Sequence, residues 1–123
     1  MEGTRKKVLV VDDSEIVRTM VCMLLSEHGY EVVAVDSPFA FSQALADEKP
    51  DLVLMDVTMP GLRGDQLVNI AQRSPVHDCP IVLFSDRFDA ELARLVKRCG
   101  AVGYIKKGDE ATLVRDIERF MSR

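Results

Sequence analysis

Apolar residues along this chain fall into short unbroken runs, separated by longer stretches where they recur at helical spacing. The runs are Val8 to Val11, Val32 to Val35, Leu52 to Met55, Ile81 to Phe84 and Val102 to Ile105. Each is partly β-branched and apolar throughout rather than alternating, the pattern of a strand covered on both faces. Between the runs, Ile16, Met20 and Leu24 recur every four residues beside Val17, Val21 and Leu25, which predicts a first helix. Asp13 or Ser14 is placed to cap it. Ser37-Pro38 supplies a cap and a first-turn proline for a second helix carrying Phe41, Ala44 and Leu45. Leu67, Ile70 and Ala71 mark a third. Leu92, Leu95, Val96 and Cys99 mark a fourth, closed by Gly100, and Asp109 caps a fifth that carries Leu113, Val114, Ile117 and Phe120.

Strand and helix thus alternate five times. Crossovers of this length imply an α/β fold with a parallel sheet between helical layers, and five strands suit the flavodoxin-like (βα)5 doubly wound arrangement in the order 2-1-3-4-5. A length of 123 residues fits one domain, residues 1–123 with a core from about 7 to 121. With 47% hydrophobic and 29% charged residues, the chain is neither disordered nor a coiled coil. No apolar run approaches the roughly 20 residues of a membrane helix. The apolar stretch behind Arg5-Lys6-Lys7 is too short for a signal peptide, so a cytoplasmic protein is expected. A net charge of −4 argues against direct nucleic-acid binding. Cys22, Cys79 and Cys99 form no disulfide or zinc pattern and read as small hydrophobes, and His28 and His77 have no nearby ligand or nucleophile set.

Sheets of this kind place their sites beyond the carboxyl ends of the strands. There stand Asp12-Asp13-Ser14, Asp56, Ser85-Asp86 and, after Tyr104, Lys106-Lys107. Three carboxylates, a hydroxyl and the Lys106 ammonium would converge. All-oxygen donors in that number call for a hard divalent cation, Mg²⁺ or Mn²⁺ rather than zinc. A carboxylate nucleophile beside a metal, a lysine and a hydroxyl suits phosphoryl transfer.

These residues resemble the response-regulator receiver domain of two-component signalling. The resemblance runs from about Lys7 to Met121. It rests on Asp12-Asp13, on Asp56-Val57-Thr58-Met59-Pro60-Gly61-Leu62-Arg63-Gly64, on Ser85 and on Gly100-Ala101-Val102-Gly103-Tyr104-Ile105-Lys106. It implies that Asp56 accepts a phosphoryl group in a Mg²⁺-dependent reaction, so that the chain is a signalling domain rather than an enzyme. Asp13 would ligate the metal directly and Asp12 through water, with Asp56 and the Thr58 backbone carbonyl as further ligands. Lys106 would pair with Asp56, Ser85 would turn its hydroxyl onto the phosphoryl group, and Tyr104 would follow, altering the face of the fourth helix, fifth strand and fifth helix. The implied partners are a histidine kinase or histidine phosphotransfer domain, docking near the first helix, and a downstream protein target or effector domain. The oligomeric state would be a monomer or a phosphorylation-dependent dimer.

Two positions depart from the family pattern. Asp86 stands where a small residue is usual, and Lys107 where proline usually follows the lysine. Without proline, the bond between Lys106 and Lys107 is expected to be trans. Asp86 is expected to turn outward and cap the fourth helix, with Asp89 as a competing cap. Arg87, Arg94, Lys97 and Arg98 read either as a solvated face or as a basic part of a partner surface. A haloacid-dehalogenase-like phosphatase would need Asp-x-Asp after the first strand, and a flavin carrier a phosphate loop that Asp12-Asp13 would repel. The remaining alternative is a degenerate receiver that acts as a phosphate-independent interaction module.

Overall fold

The computed structural model describes residues 5–59, 66 and 79–122. Five strands, β1 (Lys7–Val11), β2 (Glu31–Val35), β3 (Leu52–Asp56), β4 (Ile81–Ser85) and β5 (Gly103–Lys106), form one parallel sheet in the order β2-β1-β3-β4-β5. The flavodoxin-like order read from the sequence is the one observed. Four helices are described: α1 (Glu15–Glu27), α2 (Pro38–Glu48), α3 (Asp89–Cys99) and α4 (Glu110–Met121). Thus α3 and α4 are the fourth and fifth helices expected from the sequence. The third, over Leu67, Ile70 and Ala71, and the loop from Pro60 to Gly64 lie outside the described residues.

The unbroken apolar runs have a direct cause. Successive side chains of a strand point to opposite faces, and here both faces are covered. Val8, Val10, Leu52, Leu54, Val82, Phe84 and Ile105 pack with Val21 and Leu25 of α1 and Leu113 and Ile117 of α4. Leu9, Val11, Val53, Met55 and Leu83 pack on the other face with Phe41 and Leu45 of α2 and Leu92 and Leu95 of α3. Burying each such side chain stabilises the fold by roughly 1.5–3 kcal/mol before entropy is counted. That alternation of faces also decides which side chains meet at the strand ends.

Helix ends follow the local chemistry. Ser14, Ser37 and Asp109 each accept an N–H three residues ahead, from Val17, Ala40 and Thr112. Pro38 occupies the first turn of α2, and Gly100 closes α3 with φ +77. The α3 start differs from expectation. Phe88 sits at its N-cap with no side-chain capping bond, so Asp86 does not cap it. The α1 stripe is also wider than its core. Val21 and Leu25 are buried, while Ile16 is 82% exposed. At Gly103 the Phe120 ring lies where a Cβ would be, 2.5 Å away, so this strand position has room only for glycine.

Candidate functional site

β1 and β3 run side by side, with Val11 opposite Met55. The next residues, Asp12 and Asp56, are therefore neighbours at one sheet end. Both are buried, at 0% and 1% exposure, among the few buried charged groups of the described residues. Asp13 is exposed, yet carboxylate oxygens of Asp12, Asp13 and Asp56 all lie within 4.8 Å of one another. Asp12 Oδ1 accepts the Ser14 N–H at 2.9 Å, and its carbonyl accepts from the Arg18 guanidinium at 2.9 Å. Asp56 Oδ1 accepts both the N–H (3.0 Å) and the hydroxyl (2.6 Å) of Thr58. Asp56 Oδ2 receives no hydrogen bond among the described residues.

The ammonium that reaches these carboxylates belongs to Lys107, not to Lys106 as expected. Lys107 Nζ lies 2.9 Å from Asp12 Oδ2 and 3.5 Å from Asp56 Oδ1. Burial alone would lower its pKa, but Asp12 and Asp56 outweigh that and raise it above the ordinary lysine value. It also stands 5.2 Å from the centre of the Phe84 ring. Lys106 instead points outward and meets the exposed Asp89 of α3 at 3.3 Å. Alternation along the strand is the reason. Ile105 shares a face with Phe84, Leu54 and Val10, whereas Tyr104 packs on the opposite face. Counting on by two, Lys107 falls on the side of Asp12 and Asp56, and Lys106 on the side of α3. The ladder supports this, since Ser85 lies opposite Lys106 and its carbonyl accepts the Lys107 N–H at 2.9 Å. Among the described residues no peptide bond is cis, so the Lys106–Lys107 bond is trans. The residue after the site lysine is Gly108, with φ +113, so Lys107 is not the departure from the family pattern that it looked to be.

Ser85 is fully buried at the end of β4, and its Oγ accepts the Arg87 N–H at 3.0 Å. The Arg87 guanidinium donates to the Val57 carbonyl at 3.2 Å and pairs with Glu91 of α3 at 3.1 Å. Read from sequence as one of a basic group along the fourth helix, Arg87 belongs to the rim of the site. Tyr104 is half-buried against the α2 and α3 face, and Asp86 is exposed. The thiols lie elsewhere. Burial, helped by Asp51, pushes Cys79 up to about 11, and burial raises Cys22 and Cys99, which keeps all three as thiols.

Three carboxylates against one ammonium leave an excess of two negative charges. Asp12 Oδ2 is buried and meets Lys107 as an ion pair without hydrogen-bond alignment, so it retains capacity for a further cation. The donors are hard oxygens, partly open to solvent through Asp13. That arrangement fits Mg²⁺, which takes one or two carboxylates and keeps several waters.

Residues 8–118 match the sequence model of the response regulator receiver domain. Over 122 residues the chain is 33% identical to protein PilH of Pseudomonas aeruginosa, covering 94% of this chain and 98% of PilH. It is 31% identical over 103 residues to the phosphate regulon transcriptional regulatory protein PhoB of Escherichia coli, spanning 83% of this chain but only 45% of PhoB. Among solved structures, the chemotaxis protein CheY4 of Vibrio cholerae matches with a TM-score of 0.85 at 27% identity, over 94% of this chain and 98% of CheY4.

Proposed function

Since the chain belongs to the response-regulator receiver family, we propose that it takes a phosphoryl group on Asp56 in a Mg²⁺-dependent reaction and passes the change to a partner surface. The observation that carries this reading is the Lys107 ammonium set between the buried carboxylates of Asp12 and Asp56, with Asp13 beside them. Asp56 is the acceptor because Thr58 and Lys107 load its Oδ1 and leave Oδ2 available for attack on phosphorus. Asp12, Asp13, Asp56 and the Thr58 carbonyl would hold the metal. When bound, it supplies positive charge to the transferring oxygens. Lys107 would add its own charge without losing its proton.

Ser85 and Tyr104 are read as the switch. In the resting protein the Ser85 hydroxyl faces the Arg87 amide. Turning it onto a phosphoryl oxygen would free space beside β5 for Tyr104, changing the face of α3, β5 and α4 that a downstream target or effector domain meets. The donor, a histidine kinase or histidine phosphotransfer domain, would dock along α1. There a groove of about 570 Å³ is lined by Ile16, Met20, Met23 and Glu110. This is not the carboxylate pocket but lies next to it, since Glu15 directly follows the Ser14 cap. A cytoplasmic setting and a single receiver unit accord with this role. The degenerate alternative is disfavoured because acceptor, cation and hydroxyl are all present.

Incubation with Mg²⁺ and acetyl phosphate, followed by intact mass, tests the reading. One phosphoryl adduct, lost to hydroxylamine as an acyl phosphate must be, is expected. Full labelling of Asp56→Asn, or labelling undiminished by EDTA, would refute it.

A further inference from the structure

We propose that Arg87 is an exchangeable counter-charge, held by Glu91 in the resting protein and drawn onto the phosphoryl group when Asp56 is charged. This rests on the phosphoacceptor reading above. One guanidinium nitrogen donates to the carbonyl of Val57, the residue directly after Asp56, and another pairs with Glu91. The cation thus already stands between the acceptor strand and the first turn of α3.

Charge balance gives it a task. Three carboxylates are offset by the Lys107 ammonium and one divalent cation. An acyl phosphate on Asp56 carries about two negative charges where the carboxylate carried one, so roughly one charge is left uncompensated. Lys107 is committed to Asp12 and Asp56, and Lys106 faces Asp89. Arg87 is held more weakly. Its ion pair with Glu91 runs through one nitrogen, with the two side chains 34% and 45% exposed, and such pairs contribute little. A phosphoryl group offers the planar guanidinium fork a better, bidentate partner. The carboxylate given up by Arg87 sits in the first turn of α3, where the helix dipole favours negative charge. Glu91 and the phosphoryl group therefore compete for one cation, and charging Asp56 releases a carboxylate on α3.

The competition fixes the signs of two substitutions. Beryllofluoride with saturating Mg²⁺ serves as a phosphoryl mimic, and its affinity is read from the ¹⁹F signals of the bound anion. Arg87→Ala is expected to weaken binding roughly ten-fold or more, the scale of one lost charge-assisted hydrogen bond. Glu91→Gln should tighten it about two- to three-fold. In the double variant the Glu91→Gln gain should vanish, and Arg87→Lys should restore part of the loss. Equal binding by Arg87→Ala, shifts of the same sign in both single variants, or a Glu91→Gln gain that persists without Arg87 would each overturn the exchange. Beryllofluoride binding to wild type but not to Asp56→Asn separates this outcome from failure of the phosphoacceptor reading itself.

Discussion

Replacing Lys107 by methionine should damage the protein far more than replacing its neighbour Lys106, although the two residues are adjacent and chemically identical. At an effective dielectric near 20, contacts of 2.9 and 3.5 Å correspond to gross attractions of about 6 and 5 kcal/mol. Burial of the ammonium takes back several of these. What remains on removal is two buried carboxylates without a cation. Loss of one partner of a buried pair typically costs about 3–5 kcal/mol, so Lys107→Met in EDTA should lose about 3–4 kcal/mol. Lys106→Met breaks only an exposed contact, with side chains 44% and 69% exposed, and should lose less than about 1 kcal/mol.

Metal linkage gives the same prediction a second edge. On the proposed reading Mg²⁺ would bind the carboxylates that Lys107 neutralises, so Lys107→Met should bind Mg²⁺ more tightly than wild type. Because Mg²⁺ also stabilises wild type, each ten-fold gain in the variant's affinity returns about 1.4 kcal/mol of the deficit at saturation. Urea unfolding with and without Mg²⁺ measures both quantities, and acetyl phosphate labelling should fall at least ten-fold for Lys107→Met while staying within two-fold for Lys106→Met. Comparable stability losses in the two variants, or a Lys107→Met deficit that Mg²⁺ leaves untouched, would refute the charge assignment.

Gly103→Ala must move the Phe120 ring from 2.5 Å contact, and overpacking of this kind costs about 1–3 kcal/mol, seen as a lower urea midpoint at unchanged slope. The Thr112 hydroxyl, then its N–H, hold the Asp109 carboxyl below the usual carboxylate range. The folded pKa is thus below the unfolded one, so its stabilisation is present above the unfolded value and lost as pH falls through the folded one. The Tm difference between wild type and Asp109→Ala should shrink on acidification from pH 7 to pH 3. Ile16→Asp, at an 82% exposed position of the α1 groove, should slow phosphotransfer from a histidine kinase at least five-fold and leave acetyl phosphate labelling within two-fold; equal slowing of both would count against docking at α1. Asp86 is exposed and caps nothing, so Asp86→Ala should change labelling less than about two-fold and stability by less than about 0.5 kcal/mol, and a ten-fold gain in labelling rate would show instead that Asp86 guards the site.

Much of this architecture was legible in the order of the residues because one physical rule repeats through it. Strands buried on both faces need apolar runs, and helices laid on those faces need stripes. Both patterns survive in a single sequence, so Val8 to Val11 and the capping residues Ser37 and Asp109 fall where they were expected. Ile16 shows where the rule weakens. A stripe broader than the core beneath it carries no mark of which apolar residues stay outside, and Ile16 is outside. The capping role expected of Asp86 failed for a related reason. Acidic residues at 86 and 89 both suit a helix start, yet the chain enters α3 through Phe88, and Asp89 turns to Lys106.

The lysine at the carboxylates lies one residue beyond the one expected, although the strand's own alternation distinguishes the two. Taking the first lysine after an apolar run treats the strand end as a point, whereas a strand has two sides. Ile105 faces α1 and α4 with Phe84, and Tyr104 faces α2 and α3, so a period of two carries Lys107 to the carboxylates and Lys106 to Asp89. The same count sends Asp12 from Val10 and Asp56 from Leu54 to one side. The two buried carboxylates and the cation therefore share a pleat face. Ser85, following Leu83 on the opposite face, approaches from the side of α3. On the proposed reading, the hydroxyl that would report the state of Asp56 to α3 is on the face from which it can do so, which ties the switch reading to the same alternation that built the core.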